Sequence, residues 1–190
     1  QLHFLEAAKL GNEAVLNYSN RLADKCEEEA GKTDDPEYKK ELMELAEICR
    51  YVPFHPARTF QEAVQSIFMV LLAVHMESNG HAISLGRFDQ YVYPLYKKDI
   101  EEGRITKEKA LEIIECFFIK CNELNKLRSW PDTEFFMGYQ MFINLAICGQ
   151  TVEGKDATND ISRMCIQACR ELKLITPSVS VKCFDGTTDE

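Results

Sequence analysis

Residues 142–184 read FINLAICGQTVEGKDATNDISRMCIQACRELKLITPSVSVKCF. Two short apolar runs bound this stretch: Met141 to Cys148, which begins one residue before it and is closed by Gly149, and Ser178 to Phe184. Short apolar runs bounded by turn residues read as buried strands. Between them, the span from about Ala157 to Leu172 has helical character, opened by Gly154-Lys-Asp-Ala. Strand, crossover helix, strand is a βαβ unit, so the two strands should be parallel. A parallel sheet is covered on both faces and needs several strands. The chain offers two good ones and stops just after the second, so a larger α/β structure is expected, of which this is a part. The chain also lacks an initiating Met, and Gln1 is expected to be internal to a longer protein.

Upstream, the chain is helix-rich. Leu2 to Glu29 carries apolar residues at helical spacing (Leu5, Leu10, Ala14, Val15, Tyr18, Leu22, Cys26), and Gly31 ends the run. Pro36 suits the first position of a second helix to about Arg50, and the two should pair antiparallel. Pro53 and Pro56 make Tyr51 to Arg58 extended. Thr59-Phe-Gln-Glu62 has the form of a capping box. The helix behind it, to about Glu77, is apolar on most sides and needs cover nearly all round. Ile83 and Leu85 suggest a short bridge, and Phe88 to Tyr93 a helical turn. Pro94 should begin a helix ending at Gly103, Thr106 should cap another reaching about Leu127, and Trp130 to Thr133 should be a loop.

Composition narrows the function classes. Of 190 residues, 45% are apolar and 28% charged, which suits an ordered protein with a core. The net charge of −9 argues against nonspecific binding to nucleic acid or anionic membrane. The longest apolar run, Ile67 to Val74, is too short to span a bilayer, and no secretory signal opens the chain. The eight cysteines include no C-x-x-C pair and fall mostly in apolar runs. That is the usage of buried thiols in a reducing compartment, so a cytoplasmic location is expected.

Polar chemistry concentrates in ESNGHAISLGRFDQYVYPLY, Glu77 to Tyr96. Two glycines, a histidine, an arginine and an aspartate stand between an apolar helix and an aromatic segment. His81 is the leading candidate, because imidazole both donates and accepts hydrogen bonds and changes charge near neutrality. A purely structural role, capping the helix end near Glu77, is the alternative. Arg87 and Asp89 are expected to form an ion pair that shapes the loop. His55, His75, Cys165 and Cys169 are read as structural. Ser178 and Ser180 share one face of their strand, either a barrel interior or a helix-packing surface.

Three runs carry a family resemblance: NGHAISLGRFDQYVYPLYKKDI, GYQMFINLAICGQTVEGKDATNDIS and LITPSVSVKC. They resemble the pyruvate formate-lyase-like glycyl radical enzymes, nearest the glycerol and diol dehydratase and hydroxyproline dehydratase branch. The likeness extends to the leading helices, including LAEICRYVPFHPARTFQEAVQ. It implies a ten-stranded α/β barrel in a protein several times longer. Residues 1–58 would be leading helices and 59–190 the first barrel elements of one domain. It also implies a glycyl radical near the distant C-terminus, installed by an S-adenosylmethionine iron–sulfur activase. That radical passes to a loop cysteine, and the thiyl radical takes hydrogen from substrate before a neighbouring group leaves. The motifs of that cysteine and that glycine, resembling Gly-Cys-Val-Glu and Arg-Val-x-Gly-Tyr, do not occur in this sequence. The 190 residues alone are therefore expected to be inactive.

By the same resemblance His81 lies in the active site against the substrate hydroxyl. Asn79 and Ala82 flank it on the substrate, and Tyr139 lines the pocket or packs on the rim. Ala82 stands where that branch usually has Ser, so a hydrogen bond to substrate is lost and glycerol or propanediol is disfavoured. No metal site and no directly bound cofactor are expected. The expected partners are a small-molecule substrate, the activase and, at full length, a second copy of the chain. A formate acetyltransferase in the strict sense and a non-catalytic helical interaction domain are the competing readings.

Overall fold

The computed structural model describes residues 1–78, 80–138 and 140–187. Ten elements follow in order: α1 (Leu2–Ala30), α2 (Pro36–Tyr51), α3 (Phe60–Glu77), β1 (Ser84–Arg87), α4 (Phe88–Glu101), α5 (Lys107–Glu123), α6 (Trp130–Phe135), β2 (Asn144–Cys148), α7 (Asp160–Leu172) and β3 (Ser178–Lys182). The strands form one parallel sheet in the order β1-β2-β3. The expected pairing holds in register, Asn144 opposite Ser178 through Cys148 opposite Lys182. What was read as a bridge at Ile83 and Leu85 is a third strand, kinked by a register shift against β2.

Alternation along β2 divides the sheet. Leu145 and Ile147 are fully buried, with Phe88, Val92, Ile114 and Ile161 of α4, α5 and α7 in the same core. Asn144 and Ala146 point the other way, as do Ser178 and Ser180 on β3, and the Asn144 amide and Ser180 hydroxyl meet at 3.3 Å. The β3 serines therefore lie opposite the helix-packed face. Burying Leu145 or Ile147 is worth about 2 kcal/mol each, and neither tolerates a one-residue register slip.

Local chemistry explains where the boundaries differ from expectation. Pro94 lies inside α4 and does not start a helix. It removes one backbone donor, but Phe88, Val92 and Tyr96 form a single buried stripe that keeps the helix continuous. Trp130 to Thr133 begins helix α6, because Ser129 accepts the Asp132 N–H and Pro131 occupies the first turn. α5 stops at Glu123, four residues early, where Leu124 turns extended and Asn125 bridges to Gln140. α7 starts at Asp160, since Asn159 caps Ile161 and Ser162 and forms a reciprocal capping box. The Thr59 box is only half formed. Thr59 accepts from Glu62 N–H, but the Glu62 carboxylate binds Arg58, at its backbone N–H and guanidinium. Asp99 of α4 instead accepts the Phe60 N–H at 2.7 Å, tying α3 to α4.

α1 and α2 pair antiparallel through Ser19, whose hydroxyl lies against the carbonyls of Cys49 and Val52, and through Arg50 with Asp24 and Glu27. The all-round cover expected for α3 is not complete within this chain. Met69 and Leu71 are buried, whereas Val74 and Met76 are exposed beside an open apolar groove shared with α1, and Val70 is exposed on the side toward β1. No described helix is long and apolar enough to cross a membrane.

Candidate active site

The site is assembled at the N-terminal ends of β1 and β2, where two loops meet because the strands are parallel neighbours. The first loop leaves α3. Gly80 donates its N–H to the His75 carbonyl at 2.8 Å with φ +68°, a left-handed turn that also brings its α-carbon against the Met141 side chain. A β-carbon there would be strained by φ and crowded by Met141, which is why glycine precedes the histidine. Ala82 follows, also left-handed at φ +43°, and donates its N–H to the Met141 carbonyl at 3.1 Å. The second loop enters β2 through Phe142, left-handed at φ +54°. Non-glycine residues hold that conformation at a cost of about 1–2 kcal/mol each. Two of them facing each other across one backbone hydrogen bond mark a place where the surrounding structure fixes the chain.

Between these loops stands a group that no sequence motif announced. Arg128 points a guanidinium nitrogen at His81 Nε2 from 2.7 Å and donates its other terminal nitrogen to the Gln140 carbonyl at 2.9 Å. Its guanidinium carbon sits 4.8 Å from the Phe136 ring centroid, and His81 meets the same ring edge-on at 5.3 Å. Gln140 in turn donates its side-chain amide to the Phe136 carbonyl. The helix-end capping role for His81 is not what is seen: the imidazole is engaged by Arg128, and the residue is exposed. Asn79 and Tyr139, expected on the substrate, lie outside the described residues. Ala82 is exposed beside His81. In the sequence Arg128 stands only as a charged residue just ahead of the Trp130–Thr133 stretch expected to be a loop.

At the opposite ends of the strands lies a second polar network, with Asp89 buried at its centre. Arg87 and Asp89 do not form the expected ion pair; each goes to separate partners. Arg87 donates to the carbonyls of Cys148 (2.7 Å) and Gln150 (2.9 Å). Asp89, buried, accepts the Cys148 N–H at 2.7 Å and the Ser162 hydroxyl. Gln90 donates to the Ala157 carbonyl and Asn159 to the Asp89 carbonyl. The motifs GRFDQ and GKDATN thus grip each other, Gln90 and Asn159 each bonding a carbonyl of the other run. Cys165 is buried beside this network, and burial holds its thiol well above the ordinary range. Burial also pushes Cys121 up to about 12, so both stay protonated and structural. Among the described residues no cluster could hold a metal ion.

The Pyruvate formate lyase-like family model matches residues 1–190. The chain belongs to that family. The isethionate sulfite-lyase of Nitratidesulfovibrio vulgaris is 40% identical over 181 residues, covering 94% of this chain and 22% of the relative. A solved structure concerning 1,2-propanediol dehydration in Roseburia inulinivorans superposes with TM-score 0.95 at 46% identity, over 98% of this chain and 23% of that one. The glycerol-bound form of the B12-independent glycerol dehydratase from Clostridium butyricum gives TM-score 0.88 at 45% identity, over 93% and 22%. The chain therefore spans under a quarter of the length of the proteins it matches, and its helices and three strands are a section of the glycyl radical enzyme barrel.

His75 adds a prediction at this site. Its ring is buried and neither nitrogen has a hydrogen-bond partner among the described residues. Burial, with the neighbouring His81 behind it, lowers its pKa. A histidine lowered in the folded state is neutral there while the unfolded chain takes up the proton. Its contribution is therefore fully present above the ordinary value of about 6.5 and is lost as pH falls below that toward the folded value. Urea midpoints should drop between pH 7 and 5 in the parent, and drop less in His75→Leu. At pH 7 the Leu variant should be about 1 kcal/mol more stable, since it removes a buried unpaired polar group.

Proposed function

We propose that the complete protein is a glycyl radical lyase that removes water or a comparable group from a small polar substrate bearing a hydroxyl. His81 would meet that hydroxyl, with Asn79 and Ala82 beside it and Tyr139 on the pocket wall. The reading rests on one observation above all: the His81 loop and the loop before β2 converge at the same end of adjacent parallel strands, in a chain of this family. The radical would reside on residues beyond this chain and be installed by an activase carrying an iron–sulfur cluster and S-adenosylmethionine. Residues 1–58 would lead into the barrel begun by 59–190, two copies would pair at full length, and the enzyme would work in the cytoplasm. What this chain supplies is a wall: it places a hydrogen-bond donor, presents a methyl at Ala82, and helps close the site against water.

The isethionate sulfite-lyase relative favours widening the leaving groups to sulfite. Ala82 fits that widening, because a methyl offers no partner to a second substrate hydroxyl. The test is to express the complete reading frame anaerobically with its activase. A glycyl radical signal by electron paramagnetic resonance, together with elimination from one member of a panel (isethionate, 1,2-propanediol, glycerol, hydroxyproline), is expected. The 190-residue chain should turn over none of them. A folded full-length protein that gains no radical on incubation with its activase, or gains one and eliminates from no member of the panel, would overturn the proposal.

A further inference from the structure

We infer that Arg128 is the positioning residue that sets which nitrogen of His81 can donate to substrate. This rests on the proposed role of His81 and goes one step further into it. Arginine has five N–H donors and no acceptor, and it stays protonated throughout the range in which proteins are folded. A 2.7 Å contact between its terminal nitrogen and His81 Nε2 is therefore possible in one sense only: the guanidinium donates and Nε2 accepts. While that bond lasts Nε2 carries no proton. The ring is then the neutral tautomer with its hydrogen on Nδ1, and Nδ1–H is the hydrogen bond His81 can offer. The partner of one ring nitrogen decides the chemistry of the other.

Arg128 is itself held. Its second terminal nitrogen is fixed to the Gln140 carbonyl at 2.9 Å, and its plane lies over Phe136 at 4.8 Å and near Phe142 at 5.9 Å. The same Phe136 ring packs edge-on to His81. Ring and guanidinium are thus locked to one aromatic surface, and both incoming loops carry left-handed residues, Ala82 and Phe142, next to the contact. A side chain needed only to close a loop would be served by the Gln140 contact alone; the contact to a ring nitrogen is additional.

The test is a double-mutant cycle in the complete, activated enzyme, on the substrate of the panel that it turns over. Arg128→Met should lower kcat roughly 10- to 100-fold with a smaller change in KM, the scale of a misdirected donor. In a His81→Ala background the same substitution should change kcat less than about twofold, because there is no ring left to orient. Arg128→Lys, which keeps the charge but cannot span His81 and Gln140 together, should fall between. Ethylguanidinium added to Arg128→Ala should restore activity, and an equal concentration of ammonium should not. Equal losses from Arg128→Met in both backgrounds, or parental kcat in the single variant, would overturn the inference while leaving His81 standing. Parental activity in His81→Ala alone would bring down the site reading beneath it, and that variant by itself tells the two failures apart. Thermal midpoints of every variant accompany the rates, and ethylguanidinium rescue reports on the orientation even where Arg128→Met folds poorly.

Discussion

Asp89→Ala should cost the chain about 3–5 kcal/mol, a large share of the stability of a domain this size. The carboxylate is fully buried and serves three elements at once. It sits in the first turn of α4, takes the Cys148 N–H at the end of β2, and takes the Ser162 hydroxyl in the first turn of α7. Each hydrogen bond to a charged acceptor is worth about 1.5–3 kcal/mol, and alanine leaves both donors buried with nowhere to turn. The Asn159 cap is coupled to the loss, because the Asn159 N–H donates to the same Ser162 oxygen at 3.0 Å. Asp89→Asn keeps an acceptor but adds two donors beside Cys148 N–H and Ser162, so it should cost about half as much. Urea unfolding of the 190-residue chain, followed by circular dichroism, measures both. Unfolding free energies within about 0.5 kcal/mol of the parent would show that water or another group takes over the carboxylate's role.

That network bears on how far the sequence could be read. GRFDQYVYP and GKDATN stand out as long, specific runs that carry the family resemblance, with Arg87 and Asp89 expected to shape the loop as an ion pair. The role is structural, but through separate partners and not through a mutual ion pair. Arg87, Asp89, Gln90 and Asn159 each bond a backbone group where the chain turns, and removing one partner from such a buried web leaves others unpaired. The large elements were legible because their signals are local: apolar spacing in α1, α2 and α7, threonine caps at α3 and α5, and apolar runs at β2 and β3. β1 was only half legible, since Ser84-Leu-Gly-Arg87 has one apolar side chain and a glycine and depends on β2 for its existence. The continuity of α4 through Pro94 was illegible for the opposite reason: a local breaker is overruled by three buried side chains supplied with partners from α3, α5 and α7. Arg128 was out of reach altogether. It lies 47 residues from His81 in sequence, and nothing short of the loop geometry brings the two together.

His81→Ala in the complete, activated enzyme should lower kcat/KM by about 10²–10³-fold, at the lower part of the range for a positioned donor or acid. The residue is exposed on this wall of the barrel while its ring is held from behind by Arg128 and Phe136, so its surroundings fix the imidazole yet leave it reachable. A histidine serving only packing would have little reason to sit there, and its removal would show as lost stability. The opposite division is expected here. The Ala variant should unfold within about 1 kcal/mol of the parent, as exposed positions do. Its radical content after activation should match the parent's, because the activation machinery is remote from this loop in the proposed scheme. His81→Gln offers an amide N–H near the place of the imidazole donor and should recover part of the loss, which a steric role for the ring would not predict. The split between kcat and KM adds a further discrimination. If His81 merely gripped the substrate hydroxyl, KM would rise with kcat unchanged; a bond that strengthens as the leaving group departs lowers kcat. Steady-state rates paired with radical quantitation separate these outcomes, and full activity at parental radical content would remove His81 from the chemistry.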